Sequence, residues 1–280
     1  MLHRTDLAAE ARTEYGELDG VESVTRTVED VTVTETVVST AEAAEKLGKS
    51  PGRYITVELN GLKTGDVDEE DAGRLIAEEL KPMLREGGVL VAGLGNRRVT
   101  PDALGPRAAD GVLATRHIAA ALKEFAGIEN TRPVSVIATD VLGRTGVETL
   151  ELLRGAVGEV RPALVIAVDA LASLSTARLG TTVQICDAGI SPGSGVGNRR
   201  AELSESTLGV PVIAVGVPTV VDAATVAEDY SGGYFQKHGF FATPREVDAL
   251  VDTAARIVSR GINEALNPSL PIEDIMHALA

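Results

Sequence analysis

Asp102 and Asp169 are the side chains of this sequence best placed for acid–base work. In open α/β sheets the functional crevice lies beyond the carboxyl ends of the parallel strands, and both aspartates follow short apolar runs that read as such strands. Asp102 ends the loop Gly93-Leu94-Gly95-Asn96-Arg97-Arg98-Val99-Thr100-Pro101-Asp102, which follows the run Val89-Leu90-Val91-Ala92, and Asp169 closes the run that ends in Val168. Neighbouring strands can bring the two together although they are far apart in the chain. A close pair of carboxyl groups can divide general acid and general base work between them. The plain alternative for Asp102 is a helix cap, a common use of Asp at a helix start.

The second chemistry-bearing segment is 184–200, where Gly189, Gly193, Ser194, Gly195, Gly197 and Asn198 follow Gln184, Cys186 and Asp187. Glycines there permit positive φ and close backbone approach, so the loop can cradle an anion or clamp an extended peptide through main-chain hydrogen bonds. It lacks the Lys-Ser/Thr ending of a phosphate-binding loop, and Arg98 stands where a dinucleotide fold needs its third glycine. His117, in Thr115-Arg116-His117, reads as a mid-helix, partly buried residue; His3, His238 and His277 lie in peripheral or loop contexts. Cys186 ends an apolar strand with no nearby His to activate it, so it reads as a buried small hydrophobe. No Gly-x-Ser-x-Gly elbow anchors serine hydrolase chemistry.

The elements that must position these residues follow from periodicity. Val24, Val28, Val31, Val33 and Val37 alternate with polar residues over 21–38, and 54–59 reads as a third strand, so residues from about 21 to 60 supply an antiparallel edge. The acidic run 66–71 precedes Leu75, Ile76, Leu80 and Leu84, as at a solvated helix N-terminus. From residue 89 onward, apolar strands alternate with helices: one carrying Leu104, Ala108, Val112, Ile118, Leu122 and Phe125, one from about Gly146, and one over 244–266. Further apolar runs lie at 134–138, 163–168, 181–186 and 210–217. The fold class expected is α/β, a three-layer, mostly parallel sheet between helices with that antiparallel edge, and no domain break is visible.

Composition narrows the function. Among 280 residues, 26 Lys and Arg against 41 Asp and Glu give a net charge of −15, which argues against a nucleic-acid partner. The 3% aromatic content, without Trp, argues against a stacking surface and requires an aliphatic core. A single cysteine cannot form an intramolecular disulfide or a zinc site by itself and fits a reducing compartment. No signal-like or membrane-spanning apolar run is present, so the expected location is cytoplasmic, without a membrane partner.

Several strings resemble the germination protease (spore protease) family: Gly95-Asn96 with Val99-Thr100-Pro101-Asp102-Ala103-Leu104-Gly105-Pro106, Thr115-Arg116-His117, Thr145-Gly146-Val147-Glu148-Thr149, Val168-Asp169-Ala170-Leu171-Ala172-Ser173, and Ile190-Ser191-Pro192-Gly193-Ser194-Gly195-Val196-Gly197-Asn198. The likeness runs in order from about Arg4 to about Leu266. A more distant likeness, to the hydrogenase maturation proteases, implies their fold. The resemblance implies an atypical aspartic endopeptidase that degrades small acid-soluble spore proteins in the spore core at germination, needs no cofactor and forms a homotetramer. It places the essential acids on Asp102 and Asp169 and an extended substrate on Asn96, Gly193, Ser194, Gly195 and Asn198. It also implies self-processing: Thr5-Asp6-Leu7-Ala8-Ala9-Glu10 is similar to the family's cutting pattern, which puts the cut at Asp6-Leu7, a short leader at 1–6 and one peptidase domain at 7–280. Asp140 departs from the family's usual uncharged turn, and reads either as a third carboxylate near the site or as a turn cap. Two rivals remain at this stage. One is a nickel-recognising maturation protease, which would need a His beside the two acids; the other is a non-catalytic peptide- or anion-binding module.

Overall fold

The computed structural model describes residues 5–62, 64–118, 123–124, 128, 130–197, 200–233, 235 and 239–270. The alternation of valines with Thr and Glu folds as expected into a hairpin of β1 (Val21–Val28) and β2 (Val31–Val38), and β3 (Gly52–Glu58) pairs antiparallel with β2. The apolar runs become β4 (Val89–Leu94), β5 (Val134–Asp140), β6 (Leu164–Ser173), β7 (Thr182–Cys186) and β8 (Val212–Asp222), and a two-residue β9 (Phe241–Ala242) adds to β8. They form one sheet in the order β1-β2-β3-β7-β8-β6-β4-β5. The strands β8, β6, β4 and β5 are mutually parallel, whereas β7 runs antiparallel to both β3 and β8. The antiparallel part therefore reaches one strand further than residues 21–60. The short link after Ser173 cannot make the long crossover that a parallel β7 would need.

Helices cover both faces. On one side α3 (Glu69–Leu80), α4 (Leu104–Asp110) and α7 (Val247–Leu266) bury Leu75, Ile76, Leu104, Ala108, Leu250 and Val258 against Ile166, Val168, Val215 and Val217. On the other, α1 (Ala8–Tyr15) and α2 (Ala41–Leu47) pack on Tyr54 and Cys186, and α5 (Thr149–Val160) packs on Val165 and Ala167. The remaining longer helix, α6 (Ala223–Ser231), follows β8. Among the described residues Tyr54 is the sole buried aromatic, so the core is the aliphatic one that composition required. Full burial of each Val, Leu or Ile is worth about 1.5–3 kcal/mol. The acidic run 66–71 does start α3, with Asp68 accepting the amides of Glu70 and Asp71 at 2.8 and 3.1 Å.

Two sequence expectations are corrected. The helix over Leu104 stops at Asp110 and does not continue to Ile118; Asn263 on α7 intercepts it, accepting from Leu113 N–H at 2.9 Å and donating to Gly111 O at 2.8 Å. His117 consequently lies in an exposed turn rather than mid-helix. Leu122 and Phe125, expected on the same helix, lie outside the described residues, as do His3, His238 and His277. The second correction concerns Asp169: β6 runs on to Ser173, so this aspartate is interior to its strand. What ends there is the pairing with β4, whose last partners are Gly93 and Val168.

The chain leaves β4 through α4 toward β5 on one side, then returns through α5 to β6 on the other side of β4. Because α4 and α5 lie on opposite faces, the carboxyl ends of β4 and β6 form a topological switch point, where an open α/β sheet has its crevice. The start of α4 is pressed onto these ends: a Cβ on Gly105 would overlap the carbonyl oxygens of Leu94 and Val168. Gly105→Ala is therefore expected to cost at least about 3 kcal/mol or to prevent folding. Gly155→Ala, in α5 with nothing within 4 Å of the added methyl, should stabilise by roughly 0.5–1 kcal/mol. Urea titration of the two variants checks both signs.

Candidate active site

Asp102 closes a single 3-10 turn, Thr100–Asp102, between the end of β4 and α4. Its carboxylate does not cap α4; Oδ2 accepts the backbone N–H of Asn96 at 2.8 Å, across the loop that the sequence singled out. Thr219 on β8 donates to Pro101 O at 2.6 Å and ties this loop to the sheet. Asp169 is 5% exposed, and Oδ1 accepts the amide of its neighbour Ala170 at 2.9 Å. Burial holds the carboxyl of Asp169 well above the usual range, and the charges of Asp102 and Asp6 push it further the same way. The Asp102 carboxyl is also raised, first by burial and then by Asp140, against the lowering effect of the Asn96 amide. The switch point thus brings Asp102 and Asp169 within electrostatic reach of each other.

Asp140 ends β5 with a left-handed φ of 58°, accepts the Val141 amide at 2.9 Å and pairs with Arg144 at 3.2 Å. It is both a turn residue and the third carboxylate near Asp102. Cys186 is buried, and burial pushes its thiol up to about 12, so it stays an inert hydrophobe. Asn96, besides donating its amide to Asp102, uses Oδ1 to accept from Arg98 N–H at 3.0 Å.

The glycine-rich loop is occupied by the chain's own N-terminal segment. Ser194 Oγ donates to Asp6 Oδ1 at 2.7 Å, and the backbone of Gly195 packs against the Asp6 carboxylate and Ala172. Gly193 supplies a positive φ of 72° in the turn before them, and Asn198 lies outside the described residues. On the β6 side, Asp6 N–H donates to Ala172 O at 3.0 Å while Ala172 N–H donates to Asp6 Oδ2 at 2.9 Å. Leu7 is fully buried. Glu10 accepts the amides of Leu174 and Ser175 at 2.7 and 3.1 Å, and Lys49 Nζ donates to Thr5 O at 2.6 Å. A cleft of about 730 Å³ adjoins the segment, lined by Asp6, Lys49, Gln184, Ser194 and Gly216.

The sequence assigned no role of its own to Gln184, Lys49 or Glu10, although Gln184 and Glu10 fall in the strings 184–200 and 5–10 named above. Gln184 carried a legible signal, a long polar side chain on an otherwise apolar strand, whereas Lys49 and Glu10 look like ordinary surface charges until the fold encloses them. Among the described residues no three His, Cys, Asp or Glu side chains group as metal ligands, and no helix is long and apolar enough to cross a membrane.

A raised carboxyl binds its proton in the folded chain at pH values where the unfolded chain has lost it, so its contribution turns against folding as pH rises from the ordinary carboxylate range, about 4, through the raised value. Asp102 and Glu10 act in the same direction. Asp169→Asn removes the largest of these penalties and leaves an oxygen for the Ala170 amide. The variant is expected to melt above the wild-type chain at pH 8, with the gap closing toward pH 4. Thermal unfolding across that range checks the sign.

Comparison with known proteins shows the family of this chain. The pattern of the family described as germination protease matches residues 2–239. The germination protease of Caldanaerobacter subterraneus subsp. tengcongensis is 41% identical, over 99% of this chain and 98% of the relative. That of Clostridium acetobutylicum is 38% identical over 97% of each. A solved NiFe hydrogenase maturation protease from Thermococcus kodakarensis KOD1 overlaps 69% of this chain and 98% of its own, at 18% identity and a TM-score of 0.40. The family pattern spans both aspartates and the loop that holds Asp6, the relatives align along almost their whole lengths, and the chain belongs to the germination protease family.

Proposed function

We propose that this protease is an aspartic-type endopeptidase that degrades small acid-soluble spore proteins in the spore core, with Asp102 and Asp169 as its catalytic pair. The observation that carries the reading is the N-terminal segment itself: Asp6-Leu7, at the head of an acid–Leu–Ala–x–Glu sequence, lies in the crevice bonded to β6 and to the glycine-rich loop, with Leu7 extended before Ala8 opens α1. Asp6 and Glu10 are held by backbone amides and hydroxyls, which suits an acidic substrate of the same pattern. By this reading residues 1–6 are a leader, removed by self-cleavage at Asp6-Leu7, and residues from 7 onward form one peptidase domain. The substrate contacts are Gly193, Ser194, Gly195 and Asn198, with Asn96 holding the Asp102 loop, and the assembly is a homotetramer.

The two acids divide the reaction. Asp169, buried and facing two other carboxylates, retains its proton at pH values where the half-buried Asp102 has lost its own. Asp102 then takes a proton from the attacking water, and Asp169 gives its proton to the departing amine. The pair titrates as one coupled unit, so activity is set by its shared single-proton state. No cofactor is required by these steps.

Asp102→Asn and Asp169→Asn should each slow cleavage of a small spore protein by about 10²–10⁴-fold while leaving the fold intact. Gel sizing of the products and intact mass, which should show a new N-terminus at Leu7 in the wild-type chain alone, test this together. Near-normal turnover by either folded variant would sink the assignment.

A further inference from the structure

We propose that Gln184 is a third catalytic residue, whose side-chain amide donates to the carbonyl oxygen of the bond being cut and stabilises the charge that this oxygen acquires. The inference rests on the reading of Asp6-Leu7 as a cleaved bond. Gln184 is 6% exposed, an uncommon burial for a glutamine on an interior strand. Its amide straddles Leu7: Nε2 donates to Asp6 O at 2.8 Å, and Oε1 accepts Ala8 N–H at 2.7 Å. The orientation of the amide is fixed chemically, because Ala8 N–H can only donate and must face the oxygen. The nitrogen therefore points at Asp6 O, the oxygen of the Asp6-Leu7 peptide.

The sheet sets this donor opposite the acid. Gln184 on β7 and Asp169 on β6 are both register partners of Gly216 on β8, so all three lie in one row with side-chain directions on the same face. Two strand spacings separate Gln184 from Asp169, roughly 10 Å between Cα atoms. Gly216 carries no side chain between them, and Leu171 packs over it; a Cβ there would lie 2.6 and 2.8 Å from Leu171 Cγ and Asp169 O. The segment bridges the two outer strands, bonded to β6 through Asp6 N–H and Ala172 O at 3.0 Å and to β7 through Gln184.

In the reaction the water oxygen adds to the Asp6 carbonyl carbon as Asp102 takes one water proton, and the π pair moves onto the carbonyl oxygen. Gln184 Nε2–H meets that oxygen as it becomes an anion. Collapse restores the carbonyl and breaks the C–N bond, and the nitrogen of Leu7 leaves with the proton from Asp169. One peptide bond and one water give one carboxyl group and one amine, with no other reactant.

The test is the rate of self-cleavage in the full chain followed by intact mass, a single-turnover event that reports the chemical step. Gln184→Met keeps the shape and loses both bonds, and Gln184→Leu loses both in a shorter side chain. Each is expected to slow self-cleavage about 100-fold or more in chain that remains folded by circular dichroism. A rate within about threefold of wild type in either folded variant overturns the assignment. Independently of those variants, the wild-type chain is given a synthetic peptide of residues 1–14 and its analogue with a thioamide at the Asp–Leu bond, whose sulfur is a poor hydrogen-bond acceptor. The analogue should be cut about tenfold more slowly or worse, and equal rates overturn the assignment. A wild-type chain that cuts itself and the peptide only at some other bond, or not at all, fails the cleavage reading instead, and the role of Gln184 falls with it.

Discussion

A carboxyl group on an interior strand, faced by further carboxylates, cannot be ionised cheaply, and the crevice of this protein is organised around that fact. Asp169 sits among Val168, Ala167 and Val165, which water does not reach, and its hydrogen bond to the Ala170 amide offsets part of the cost of charge. Asp102 and Asp6 add repulsion rather than relief. The result is a carboxyl at the mouth of the parallel sheet whose ionisation is opposed by both burial and charge. Asp102 differs because its loop leaves it half exposed and aims the Asn96 amide at it. Two side chains of one type are thereby made chemically unlike, which an acid and a base acting at one bond require.

The same repulsion couples the N-terminal segment to protonation. A segment that carries Asp6 into the crevice raises the Asp169 carboxyl, so by linkage a protonated Asp169 favours the seated segment. The clamp is built from neutral donors at the acid positions, Ser194 Oγ and the Ala172 amide for Asp6 and the Leu174 and Ser175 amides for Glu10. Lys49 bonds the Thr5 carbonyl and lies within electrostatic reach of Asp6 and Glu10. The direct hydrogen bonds to the two acids thus come from neutral donors, and the charge of Asp6 still raises the Asp169 carboxyl.

Much of this was legible in the sequence, for identifiable reasons. The alternating valines of 21–38 and the four-to-eight-residue apolar runs report local burial, and both aspartates follow such runs. The true end of α4 was not legible, because its stop is Asn263, on the last helix, and the periodicity of residues 104–125 holds no trace of that partner. The place of Asp169 inside β6 was hidden for a related reason. An aspartate after six apolar residues reads as a strand end, but here β8 continues to pair through Ser173 after β4 has stopped. Gln184 stood in plain view on an apolar strand; its significance depends on the antiparallel direction of β7, which periodicity does not report.

That direction is what makes the site more than a pair of strand ends. The parallel half presents residues just past the last β4 pairing, so it supplies acids at the rim. An antiparallel strand joined to β8 can bring the middle of its own length, and thus a buried side chain held from both ends, into the same row as those acids. Gln184, Gly216 and Asp169 occupy that row on three different strands, with backbone positions set by the sheet rather than by loops. Groups on strands keep their geometry better than groups on loops, and the value of a preorganised donor depends on that rigidity. The joint between the parallel and antiparallel halves therefore supplies a rigid wall opposite the acids, while the glycine-rich loop closes over the segment that lies between them.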